Sequence, residues 1–293
     1  MERTVMELMG GQARPSDPRR FVIEAMLGAM HADGIVDERE LVVIERQLAE
    51  HPWFSALGDA ARTLLDLSSD ALKHAGSAAR RAPAIAKGLP ARIHRLTAYG
   101  MAVEVAVADG ELAPAEQEFL GAIGRALRID SSEADKIACA VEAGALTDYL
   151  AERFRWIAGL APVMCDLIVW RSIARGTLAP DPRSVIGFLA ALPDLQTTRS
   201  ELEPELSNAL QRPRRTDRLA RELDQLAGAV PDRSDRYWIM VYALAAELPA
   251  MVPSWRVIPF ITELQRAFEL DDAAMQNAVI DALSFPAAMP RPD

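Results

Sequence analysis

The chain has 293 residues, half of them apolar, and a formal net charge of −10 at pH 7. That length holds two domains of ordinary size, each with its own core. The acidic balance excludes a general affinity for nucleic acid, which needs a basic face to meet phosphate. Aromatics are sparse, alanine and leucine abound, and no alternating strand pattern of useful length appears, so helix is favoured over sheet.

Residues 1–19 read as a loose lead-in without the apolar core of a signal peptide. The first domain is expected over residues 20–146, with helices near 18–32, 38–50, 57–66, 69–80, 90–108, 114–128 and 132–143. Two loops interrupt it, "HADGIVDERE" (residues 31–40) and "VADGELAPAE" (residues 107–116). Laid one on the other without a gap, they put Ala32 on Ala108, Asp33 on Asp109, Gly34 on Gly110 and Glu40 on Glu116. Each follows an apolar run and precedes an amphipathic helix. Phe119, Leu120, Ile123 and Leu127 form one apolar stripe at helical spacing, and Leu41, Ile44 and Leu48 form the other. Cys139 and Cys165 lie in apolar helical context with no CxxC pair. Both read as small buried hydrophobes in a reducing cytoplasm.

The second half, residues 147–293, repeats the apolar pattern of the first. One constant offset puts Phe119 on Phe260, Ile123 on Leu264 and Asp130 on Asp271; a single further step puts Gly34 on Gly176 and Ile44 on Ile186. The chain therefore reads as a tandem duplication of a unit that is itself a pair. The acids do not follow. Asp33 and Asp109 correspond to Arg175 and Ala250, and Glu40 and Glu116 to Pro182 and Val257. Gln196 to Asp235 reads as a polar connector holding one helix, "RLARELDQL", and "RPRR" (Arg212 to Arg215) as a solvated loop. The apolar run Tyr237 to Trp255 contains Glu247, Pro249 and Pro253. It is expected to be a core helix broken near Pro249, since a membrane span needs ~20 apolar residues.

The doubled Ala-Asp-Gly loop, followed by the tail "ALRIDSSEADKI" (Ala126 to Ile137), resembles the TerB-like (tellurite resistance) family over about residues 20–145. The resemblance implies an all-α fold: a tandem duplication of a TerB-like helical domain, each with internal pseudo-twofold helix pairs, the second copy degenerate. It also implies a role in bacterial resistance to tellurite and related stresses, metal-ion binding, and work in assemblies near the membrane. Asp33, Glu40, Asp109 and Glu116 match the family's acidic positions. Some relatives carry a J domain, but no His-Pro-Asp tripeptide occurs here.

The acidic loops support two readings. In the first they only punctuate helices: Asp37 and Glu40 are spaced as a capping box, Pro114 and Glu116 suit the first turn of a helix, and Gly34 and Gly110 suit a left-handed turn. In the second they hold a divalent cation, calcium or magnesium. Asp33 and Asp109 fall at the C-terminal end of an apolar helix, where the helix dipole disfavours an anion by ~0.3–1 kcal/mol. Carboxylates and carbonyls are the ligands of hard cations, although the ligand ladder of an EF-hand is missing. Each Asp would close with the Glu of its own loop, Asp33 with Glu40 and Asp109 with Glu116, around its own small space. Glu104, on an apolar helix, requires a partner, by default an arginine. No nucleophile elbow, phosphate loop or HExxH motif points to an enzyme. The expected function is a non-enzymatic stress-response protein with metal ligands Asp33, Glu40, Asp109 and Glu116; the alternative is a structural adaptor without a metal site. A protein partner, peripheral rather than inserted contact with membrane, and a cytoplasmic location complete the expectation.

Overall fold

The structure is a computed structural model and describes residues 16–58, 60–174, 181–247 and 254–285. All regular elements among these residues are helical. The chain falls into two units, Met1–Leu150 and Ala151–Asp293.

The first unit holds α1 (Pro18–Met30), α2 (Glu38–Glu50), the short α3 (Pro52–Ser55), α4 (Ala60–Ala75), α5 (Ala78–Gly88), α6 (Arg92–Ala106), α7 (Pro114–Leu127) and α8 (Ser131–Glu142). Helix α9 (Leu146–Ala158) starts in this unit and continues into the next. Helices α1 and α6 pack on each other, and α2, α4, α5, α7 and α8 pack around one or both of them. This explains why their apolar residues show little periodicity: a helix covered on all sides is apolar all round. Glu24 is buried in α1 and is held by Arg20 at 2.9 Å and Arg81 at 2.8 Å, the pairing a buried charge requires. Gly28 lets α7 approach, since a Cβ there would lie 2.6 Å from the Phe119 ring.

Two expected helices, 57–66 and 69–80, are corrected to α4 and α5. Ser68 does not break α4, because its buried hydroxyl donates to the Leu64 carbonyl one turn back. The break falls at Gly76, which is left-handed (φ 73°), and Ser77 caps α5. Pro83 lies inside α5 and truncates its apparent pattern. Leu41 is exposed rather than part of the buried stripe, and so is Cys139; Cys165 is buried, its thiol pushed up to about 12 by burial.

The second unit continues with α10 (Ala161–Ala174), α11 (Pro182–Ala190), α12 (Arg199–Gln211), α13 (Leu219–Ala229), α14 (Arg233–Glu247), α15 (Pro259–Ala267) and α16 (Asp272–Ala282), with single 3-10 turns at Thr216–Arg218 and Trp255–Val257. The expected polar connector instead holds two helices. The first, α12, opens on a Thr198–Glu201 capping box and buries Leu202, Leu206 and Ala209 on one stripe. The "RPRR" run lies on a loop, as expected, with Arg212, Pro213 and Arg215 exposed, but two of its arginines are tied to one acid. Arg212 and Arg214 both pair with Asp166, and Arg214 is buried with its guanidinium 5.5 Å from the Trp170 ring centre.

Local details recur between the units. The alignment that puts Phe119 on Phe260 also puts Ala78 on Leu219 and Arg92 on Arg233, so the starts of α5 and α6 fall on those of α13 and α14. The Arg95 Nε donates to the Leu89 carbonyl at 2.7 Å, and the Arg236 Nε donates to the Val230 carbonyl at 2.7 Å. Asp130 caps α8 and Asp271 caps α16, each preceded by a left-handed residue, Arg128 and Glu269. Arg175, Gly176, Pro249, Ala250 and Pro253 lie outside the described residues. The described part of the Tyr237 run is the C-terminal part of α14, buried from Trp238 to Ala246. A different stretch, Leu146–Ala174, is long and apolar enough to cross a membrane by length and composition, and 56% of its apolar window is buried inside the fold.

Candidate functional site

The first loop leaves α1 at His31 and turns at Gly34, whose φ of 82° only glycine adopts freely. Asp33 shapes this turn, its Oδ1 accepting the Ile35 N–H at 2.8 Å. The second loop repeats the device: Gly110 has φ 88°, and Asp109 Oδ1 accepts the Glu111 N–H at 2.9 Å. Short acidic side chains hold such turns by closing on the backbone two residues on. Both aspartates therefore have a local structural role that helix polarity alone did not suggest.

The two glutamates start the next helices. Glu40 Oε2 accepts the Asp37 N–H at 2.9 Å while Asp37 accepts from Arg39, a complete capping box on α2. Glu116 Oε2 accepts the Ala113 N–H at 2.7 Å. Ala113 has no side-chain oxygen to return the bond, so α7 has half a box. Both glutamates are buried, 5% and 6% exposed.

The fold then does what neither loop shows alone. Asp33, Asp37, Glu40, Asp109, Glu111 and Glu116 all line one cavity of about 380 Å³, walled by Ile35, Leu112, Ala113 and Pro114. Separate spaces, one per loop, are corrected to a single shared pocket. Burial raises the Glu40 and Glu116 carboxyls above the ordinary value, and the neighbouring acids raise them further, against the pull of the backbone N–H bonds.

Arg39 crosses between the loops. It pairs with Asp37 at 3.0 Å and donates to the Asp109 carbonyl at 2.8 Å. Its guanidinium holds the Asp37 carboxyl down, to about 2. Sequence reasoning missed this residue, because its counterpart in the second loop is Ala115. Glu104 lies away from the pocket and finds its arginine, Arg46 at 2.7 Å. His31 does not line the pocket.

Residues 19–139 match the family model for tellurite resistance protein TerB. The first unit carries a TerB domain. No curated protein and no solved structure matches the chain. The acidic pocket thus belongs to the TerB domain, with all its lining residues inside the matched span. Carboxylate is the right donor for a hard cation. The spacing is not, since among the described residues no group of three or more His, Cys, Asp or Glu is placed to hold a metal ion.

Proposed function

We propose that this chain is a non-enzymatic protein of the tellurite-resistance kind of stress response, and that its TerB domain acts by receiving positive charge in the acidic pocket. The observation that carries the reading is the convergence of two loops, far apart in the sequence, on one cavity lined by six carboxylates. Calcium or magnesium is the simplest occupant to test, with Asp33, Glu40, Asp109 and Glu116 as ligands. An ion there requires the loops to draw closer than they stand here.

The second unit is, in this reading, a duplicate of the first that kept its packing and lost its acids. The recurring helix positions, the paired Arg–carbonyl contacts and the matching aspartate caps support it. Pro182 and Val257 stand where the glutamates would be, and the unit is left as scaffold.

Melting the full chain with and without calcium or magnesium tests the ion. A ligand of the native state adds RT ln(1 + [L]/Kd), about 2.7 kcal/mol at a hundredfold excess over Kd, a shift of several degrees. Asp33→Asn with Asp109→Asn should abolish that gain and keep the fold, because the Asn carbonyl still accepts the turn N–H. No gain with either ion would remove the divalent cation from the reading.

A further inference from the structure

The two loops expose apolar side chains beside their acids. Ile35 is 69% exposed, Val36 45% and Leu112 44%. Ile35 and Leu112 also line the pocket. Exposed apolar surface rimming a polar cavity marks a face that another molecule covers. The cavity, about 380 Å³, is far larger than a bare ion, whose oxygen ligands close to about 2.3–2.6 Å. An aliphatic stem that ends in a cation matches both kinds of wall, the stem on Ile35 and Leu112 and the charge among the carboxylates. Arg39 shows the rim accepting a guanidinium, with one N–H on the Asp109 carbonyl. The negative charge repels nucleic acid and anionic lipid surfaces alike.

We propose that this face of the TerB domain docks a protein segment bearing an arginine or lysine among apolar residues. The inference rests on reading the pocket as a receptor for positive charge, and it names the carrier of that charge. It follows from the disagreement between an acid set suited to cations and a spacing that holds no metal.

The test is a selection of random dodecapeptides, displayed and panned on the full chain, followed by fluorescence anisotropy of the most enriched one. Enriched peptides should carry a basic residue flanked by apolar ones, and glutamine in place of that residue should abolish binding. Ile35→Ser with Leu112→Ser should weaken binding about tenfold, ~1.4 kcal/mol. Glu116→Gln with Asp109→Asn should do the same, while circular dichroism shows each variant folded. No enrichment, peptides without a basic residue, or an affinity unchanged by either variant would overturn the proposal. The calcium and magnesium melts, run without peptide, keep the two ideas apart. An ion-dependent gain without peptide binding sinks only the docking segment, and peptide binding without a gain sinks only the ion.

Discussion

Glu40 and Glu116 each do two jobs that conflict. Each caps a helix, which needs an acceptor oxygen, and each is buried facing other acids, which disfavours its charge. A carboxyl whose folded pKa lies above its unfolded value costs stability once ionised; the cost is absent below the unfolded pKa and grows as pH rises through the folded one. Glu116→Gln keeps the acceptor and removes the charge. Urea denaturation at neutral pH should show it more stable than the parent, with the difference shrinking as pH falls into the ordinary carboxyl range. A less stable variant at neutral pH would mean the charge is already compensated. His94 has the opposite sign. Its ring stacks on Trp53 at 4.4 Å, its Nδ1 has no hydrogen-bond partner, and burial pushes it down to about 4. The unfolded chain takes that proton near the ordinary value of about 6.5, so this contribution is full above that pH and is lost as pH falls towards 4. His94→Phe keeps a ring on Trp53 and should melt with less dependence on pH between 7 and 5. At this scale the sequence was readable where chemistry is local. Spacing singled out Asp33, Glu40, Asp109 and Glu116, but the turn bonds of the two aspartates and the reach of Arg39 depend on geometry that spacing does not carry.

Helix starts were the most legible elements, because caps are written in adjacent residues. Asp37 with Glu40 and Pro114 with Glu116 mark the starts of α2 and α7, and both are observed. The same signal, Thr198 with Glu201, marks α12, and its polar surroundings hid it. Helix ends were harder. Serines near residue 68 imitate a break, whereas the real one at Gly76 depends on a backbone angle. The half box on α7 is itself a prediction. Ala113→Ser supplies the missing side-chain acceptor and should stabilise the protein by about 0.5–1 kcal/mol, read as a higher urea midpoint with an unchanged slope. Asp37→Ala removes the acceptor from the complete box on α2 and should lower the midpoint in the same assay.

For the whole molecule, all-helical architecture followed from composition and from the two apolar core helices of each unit. The pocket did not, because it forms only when α1 and α6 pack and bring their trailing loops together. The cores offer a direct check through the thiols. Cys139 is exposed and Cys165 is buried. A thiol reagent should therefore modify one cysteine of the native protein rapidly and the other only on unfolding; two fast reactions would contradict the core assigned to the second unit. One last feature bears on engineering. Arg128 and Glu269 hold left-handed turns, φ 62° and 55°, at the same step of each unit, just before the aspartate that caps the next helix. Side chains resist that angle and glycine does not. The two turns are thus matched places where a hardier variant can be built outside the acidic loops, with the first substitution serving as the rehearsal for the second.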